Sequence, residues 1–288
     1  MNIEKRQEIN HIINREEVIA EAQKLNLLSD VFMSVALNHK LACQHVIRIL
    51  TGIDDLTVKE VRTQYRISKI TSHDAILDVL AEDSAGKMYN LEIQRKDTID
   101  HARRSRFHLA MVDSEYLMKG KTHSEIPDVY IIYISETDIW RAGCARYLVR
   151  KHFEGTDIPY DDGIHIIYVN AAVDDGTEIA QLMHYFKTAD PQDQSQGDLS
   201  NRVHFLKCEE GGYQTMCEFS EKYYKKGEEA GVKLGVKQGV KLGEKQGQME
   251  QAKKTALNMA QEGLSADTIA KFVEVSVDVV KQWLVHRS

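Results

Sequence analysis

The sequence predicts an α/β protein, a mixed β-sheet flanked by helices, with a helical tail at the C-terminus. Three observations carry this reading. Residues 75–94 hold two short apolar segments around a glycine-containing turn, the composition of a β-hairpin. Asp128 to Ile134 (DVYIIYI) is a nearly all-apolar run of strand length, the mark of a strand buried on both faces. After about residue 220 the composition changes, and glycine recurs every fourth residue, interleaved with lysine.

Taken in order, residues 1–27 form a charged helical lead-in. From Leu28 to Leu50, apolar residues recur at helical spacing (Val31, Phe32, Val35, Leu41, Val46, Ile49, Leu50), and Thr51-Gly52 stops the helix. Residues 56–70 suggest a strand or two of mixed polarity. Strands follow at 75–81 and 88–94 around the turn Asp83-Ser84-Ala85-Gly86, then a long amphipathic helix over 98–119 bearing Arg103, Arg104 and Arg106. The apolar run 128–134, another strand from Ile164 to Val169 and a helix over 177–188 complete a main domain assigned to 28–220.

Residues 221–249 form a linker segment in which Gly227, Gly231, Gly235, Gly239, Gly243 and Gly247 fall on one slowly drifting helix face. Lys233, Lys237, Lys241 and Lys245 fall on another. Each interior glycine costs a helix about 1 kcal/mol relative to alanine, so this is a marginal helix, read either as a solvated tether or as a glycine-faced helix packed on a partner helix. In 250–288, Ser265 and Ser276 are N-caps for two short apolar helices joined by a tight turn, a helix-turn-helix or a plain α-hairpin.

The net charge of −7 excludes a uniformly basic protein, but nucleic-acid binding needs only one local basic stripe. Four cysteines (Cys43, Cys144, Cys208, Cys217) stand at no metal-ligand or redox spacing, as reduced thiols of a cytoplasmic protein would. The charged N-terminus has no apolar signal segment, and no run approaches the roughly 20 apolar residues of a membrane span. The expectation is a soluble protein with no membrane partner.

The hairpin holds the chemistry. Side chains alternate along a strand, so Tyr89, Leu91 and Ile93 share one face while Asn90, Glu92 and Gln94 share the other. On the first strand Leu77, Val79 and Ala81 share a face and Asp78 lies opposite. A three-residue loop with Gly86 in the left-handed position sets Asp83 opposite Lys87 and, counting back, Asp78 opposite Glu92. Two carboxylates so close repel one another and are costly to desolvate. A divalent cation would relieve both, and hard oxygen ligands suit Mg²⁺ or Mn²⁺. Acids on a solvent-facing strand that meet nearby lysines or arginines would show the same spacing.

At these residues the sequence resembles a known family. Asp78 followed by Leu91-Glu92-Ile93-Gln94 is similar to the PD-(D/E)XK nuclease superfamily, and more closely to its nuclease family transposases, in the branch of the recombination-promoting nucleases. Leu28-Ser29-Asp30-Val31-Phe32 resembles that branch's opening "D-x-x-F" helix, Ile76 to Asp83 its metal-binding strand and Gly86 to Gln94 its "G-x-x-y-x-I-E-x-Q" strand. Arg104 to Gly120 resembles its "R-x-x-Y-Y…L-x-x-G" helix, and Ile126 to Ile132 the strand after it. The resemblance spans residues 28–140 and implies a restriction-endonuclease-like core.

The resemblance also implies roles. Asp78 and Glu92 would hold Mg²⁺ (or Mn²⁺), the Ile93 carbonyl would be a further ligand, and Gln94 would assist the attacking water. The implied reaction is phosphodiester hydrolysis in DNA, with the cation stabilising charge on the phosphate. Arg104 is a candidate to steady phosphate oxygens, a task its planar fork suits. Gln94 stands where the superfamily usually has lysine, and a glutamine supplies no charge. Lys96 is a candidate to supply it. Phe107-His108 stands where the branch has two tyrosines, and the first helix offers Asp30 but no glutamate. The Gly/Lys repeats and the terminal unit resemble the branch's tails, which implies oligomerisation or DNA engagement. The leading expectation is a Mg²⁺-dependent DNA endonuclease tied to recombination or mobile elements. The alternatives are a catalytically weak or inactive DNA-binding protein with the same fold, and a helical protein that assembles through its tail as a homo-oligomer.

Overall fold

A computed structural model of the chain describes residues 19, 20, 22–67, 75–94, 100–117 and 122–285. Most of the lead-in expected over 1–27 lies outside this set, as does Lys96. The chain divides into two compact units, Met1–Glu221 and Lys222–Ser288.

The first unit is a six-stranded mixed sheet between two helical layers. Its strands are β1 (Val58–Ile67), β2 (Ala75–Asp83), β3 (Met88–Gln94), β4 (Val129–Ser135), β5 (Arg146–Leu148) and β6 (Ile164–Asn170), in the spatial order β1-β2-β3-β4-β6-β5. The pairs β1/β2 and β2/β3 are antiparallel, β3/β4 and β4/β6 are parallel, and β5 closes one edge antiparallel to β6. All seven residues of β4 are buried, as an apolar central strand demands.

One face of the sheet packs Val79, Ala81, Tyr89, Leu91, Ile93, Ile132 and Val169 against α1 (Asp30–Leu37), α2 (Lys40–Thr51), α4 (Glu178–Thr188) and α5 (Gly197–Cys208). The other packs Leu80, Met88, Val129 and Ile131 beneath α3 (His101–Tyr116), through Leu109, Met111 and Val112. Lys207 is buried in the first core, where its ammonium donates to the carbonyls of Gln23, Leu25 and Ala189 at 3.3, 2.7 and 2.9 Å.

Two expectations need correction. The periodicity from Leu28 to Leu50 spans two helices, because the His39 ring accepts from the Ala42 amide and starts a new N-terminus there. Gly52 ends the second helix at φ +76, as its position suggests. Leu77 does not share a face with Val79 and Ala81; it packs with Ala75, Leu80 and Met88 under α3. The faces exchange at Asp78, where the regular pairing with β1 skips Gln64 and Asp78, and Gln64 has φ +50. A left-handed residue turns the strand and breaks the two-residue alternation.

The helix α6 runs from Glu210 to Gln261 across the boundary between the units, so the Gly/Lys segment is helical throughout. A Cβ at Gly231, Gly235, Gly239, Gly243 or Gly247 would meet nothing within 4 Å. In the second unit, the end of α6, α7 (Ala266–Val273) and α8 (Val277–Val285) enclose Ala256, Ile269, Ala270 and Val280. Ser265 accepts from the Thr268 amide and Ser276 from that of Val279, so both expected N-caps are formed. Among the described residues no helix is long and apolar enough to cross a membrane.

Candidate functional site

The hairpin register places the site. Gly86 sits at φ +80 and the Asp83 amide donates to the Lys87 carbonyl, so the loop is the three-residue turn. The ladder then runs from Glu82↔Met88 to Val79↔Leu91. The next positions in that register are Asp78 and Glu92. Beyond Leu91 the backbone ladder gives way to side-chain bonds, in which the Ile93 amide donates to Asp78 Oδ2 at 3.1 Å and the Asp78 amide to Glu92 Oε1 at 3.4 Å.

Asp78 is gripped from both neighbours. Its Oδ1 accepts from the side-chain Nε2 of Gln64 at 3.5 Å, and the same nitrogen donates to Ser34 Oγ on α1 at 3.0 Å. The left-handed turn at Gln64 thus aims a β1 side chain at the site. Desolvation by burial first, then the Glu92 charge, push the Asp78 carboxyl up to about 8. Asp30 adds to that push, while the Ile93 amide and Arg104 oppose it.

Glu92 is buried, at 1 % side-chain exposure. Its Oε1 lies 3.2 Å from His108 Nδ1, and His108 is itself buried in α3. The same Oε1 accepts from the Asp78 amide, so it is held from two sides. The other oxygen, Oε2, is buried without a hydrogen-bond partner. Arg104 Nη2 approaches it only to 4.0 Å, while Arg104 Nη1 donates to Gln94 Oε1 at 2.8 Å.

The structure therefore brings Asp78, Glu92, Ile93, Gln94 and Arg104 together. His108 and Gln64 were not among the sequence candidates. His108 left a trace, as the departure from the two tyrosines, and Gln64 left none.

These residues fit a divalent cation. Buried carboxylate oxygens are costly unless hydrogen-bonded. Glu92 Oε2, with only the distant Arg104 guanidinium near it, has no hydrogen-bond partner among the described residues and stands beside a second carboxylate that is pressed toward its neutral form. The Ile93 amide faces β2, and the carbonyl of a strand residue points to the same side as its N–H, so the Ile93 oxygen faces that gap as well. Among the described residues no cluster of three His, Cys, Asp or Glu side chains is placed to hold a metal. Two carboxylates and a carbonyl are hard oxygen donors of the kind a divalent cation takes.

Three helical residues one or two turns apart fasten α3 over this site. His108 meets Glu92; His101 Nδ1 lies 3.0 Å from the Tyr133 hydroxyl, and the Tyr168 hydroxyl donates to Ser105 Oγ at 3.2 Å. Glu92, Tyr133 and Tyr168 are direct partners across β3, β4 and β6. One helix face is thus docked on one row of the sheet.

No curated protein and no solved structure matches the chain significantly. A family profile does, described as PD-(D/E)XK nuclease family transposase, over residues 45–226. The match opens within α2, takes in every strand and ends early in α6. It extends past residue 140, where the resemblance in the sequence stopped, and leaves out Leu28–Phe32. It covers well over half of the 288 residues, includes the Asp78–Glu92 hairpin, and lies on a mixed sheet flanked by helices as such a nuclease core requires. The chain belongs to the PD-(D/E)XK nuclease family transposases.

Proposed function

We propose that the chain is a Mg²⁺- or Mn²⁺-dependent DNA endonuclease, hydrolysing phosphodiester bonds in the cytoplasm during recombination or mobile-element activity. The observation that carries this reading is the adjacent Asp78–Glu92 pair, whose buried Glu92 Oε2 has no hydrogen-bond partner among the described residues. Asp78, Glu92 and the Ile93 carbonyl would hold the cation. When bound, it would neutralise the two carboxylates and stabilise negative charge on the phosphate.

The chain's own residues do the rest. His108 and the Asp78 amide fix Glu92 Oε1, which leaves Oε2 to face the site. Arg104 is nearly half exposed and stands between Gln94 and Glu92, where its guanidinium can meet a phosphate oxygen. It brings the positive charge that Gln94 lacks. Gln94, whose Oε1 accepts from Arg104, would orient the attacking water. Lys96 lies outside the described residues, and its role on phosphate stays a proposal from the sequence. Residues 28–220 form the catalytic domain in this reading. Residues 221–249 carry seven lysines against four Asp or Glu, the local positive charge by which the tail would engage DNA. Self-association through the tail is a separate proposal, supported by the exposed Val232, Val236 and Val240 of α6.

Plasmid nicking in Mg²⁺, Mn²⁺ and EDTA, with Asp78→Ala and Glu92→Ala beside the parent, tests the reading. Nicking in either metal that EDTA and both substitutions abolish is expected, and nicking that survives both substitutions refutes the site. A second reading is a DNA-binding protein that keeps the fold with little activity, which the uncharged Gln94 at the position of the superfamily's usual lysine favours. Salt-sensitive DNA retention without cutting would select it.

A further inference from the structure

The loop after β4 is tied more firmly than a connection needs. Asp138 Oδ1 accepts from the Arg141 amide at 2.9 Å and the Tyr147 hydroxyl at 2.7 Å, and Oδ2 accepts from the Gly143 amide at 2.8 Å. The Tyr147 oxygen accepts in turn from the amides of Ala142 and Cys144 at 3.2 and 3.3 Å. Arg141 is held at φ +56, a conformation uncommon for any residue but glycine. The loop presents Trp140, a residue 45 % exposed whose ring meets that of Tyr168 edge-on at 5.2 Å between centroids. Arg141 beside it is exposed.

Trp140 stands at the end of the row that contains Glu92. Glu92, Tyr133 and Tyr168 pair directly across three strands, the Tyr133 and Tyr168 rings meet edge-on at 5.8 Å, and Trp140 continues the series. Strand spacing puts Tyr168 roughly 10 Å from Glu92 along the row. The loop leaves the C-terminal end of β4, the same end of the parallel strands at which Glu92 and Gln94 lie.

We propose that Trp140, with Arg141 beside it, is a stacking subsite for an unpaired nucleobase of the substrate strand. The proposal rests on the nuclease reading above and narrows its substrate to DNA with a single-stranded segment, flap or frayed end. Bases inside a duplex cannot reach an indole face, whereas every unstacked base can. Residues 1–221 carry 36 Asp and Glu against 25 Lys and Arg, so phosphate attraction alone is a weak grip for this unit. An aromatic platform supplies what net charge does not. Its loop is already ordered, so binding loses little conformational freedom.

Trp283 is the other tryptophan, so Trp283→Phe in the full chain makes Trp140 the sole indole. This protein is titrated with a fluorescein-labelled 15-nucleotide single strand and with the blunt duplex of the same sequence. The buffer holds Ca²⁺, a hard cation with the same oxygen preference as Mg²⁺. The single strand is expected to quench Trp140 emission, and the duplex to do so far less. By anisotropy, Trp140→Ala should weaken single-strand binding tenfold or more and Trp140→Phe much less. Single-strand binding without quenching overturns the subsite even if Trp140→Ala fails to fold, because that reading uses the intact tryptophan. Equal anisotropy curves for Trp140→Ala and parent overturn it too, and in both cases plasmid nicking by the parent would leave the nuclease reading standing. If neither DNA binds and no plasmid is nicked, both fall.

Discussion

His108 Nδ1 lies 3.2 Å from Glu92 Oε1, and the other oxygen of the same buried carboxylate has no hydrogen-bond partner. The two oxygens thus have different surroundings. One is tied to the protein, and in the reading proposed above the other is left for the cation.

His108→Ala should therefore loosen cation binding before it harms the fold. Partners of metal-holding carboxylates typically contribute 10- to 100-fold in affinity. Titration with Mn²⁺, followed by calorimetry, is expected to show a loss of that size, with partial recovery in His108→Asn, whose amide can donate near the position of Nδ1. An unchanged affinity in His108→Ala would show that the imidazole only fills space.

Asp78 links the same site to pH. Its folded-state carboxyl is raised to about 8 from an ordinary value near 4, so the metal-free folded chain binds a proton more tightly than the unfolded chain. The stability tied to that proton is complete below about pH 4 and is lost as pH rises toward 8. In EDTA, Asp78→Asn should melt above the parent at pH 8, with a gap that narrows toward pH 5. Mg²⁺ should raise the parent's melting temperature at pH 8 and leave the variant's unmoved.

Lys207 gives a purely structural prediction. Its buried ammonium serves three carbonyls at once and lies 5.1 Å from the centre of the Phe32 ring. Lys207→Met keeps the length and strands the three acceptors, at a cost of about 3 kcal/mol. A urea titration read by near-ultraviolet circular dichroism should show the transition shifted to lower denaturant. Activity per folded molecule should be preserved.

In α6 the expected change is a gain. The space around Gly235 and Gly239 is open, so Gly235→Ala and Gly239→Ala should each stabilise the helix by about 1 kcal/mol and raise the helical dichroism signal. Sedimentation of the same variants checks the tail proposal. If copies associate through closely packed glycine faces, added methyl groups weaken that association even as they favour the helix.

Much of the site was legible because its determinants are local. Gly86 fixes the turn, the turn fixes the register, and the register sets Asp78 beside Glu92. The nearly all-apolar β4 and the Thr51-Gly52 stop were legible for the same reason. What escaped depends on partners distant in sequence or on atypical residues in special conformations. A histidine begins α2, a role usually taken by Ser, Thr, Asp or Asn. A left-handed glutamine exchanges the faces of β1 and β2. The helix α5, GDLSNRVHFLKC, escaped because it has little amphipathic contrast to read. The Glu92–His108 contact joins residues on separate elements, which only the folded chain brings together.

The attachment of α3 has a mechanical corollary. His101, Ser105 and His108 each grasp a different strand of the row Tyr133–Tyr168–Glu92, so the helix behaves as a crossbar pinned at three points. A crossbar cannot slip by one turn without releasing all three pins together. The Tyr168 pin, under the loop that bears Trp140, and the one that meets Glu92 thus belong to the same helix.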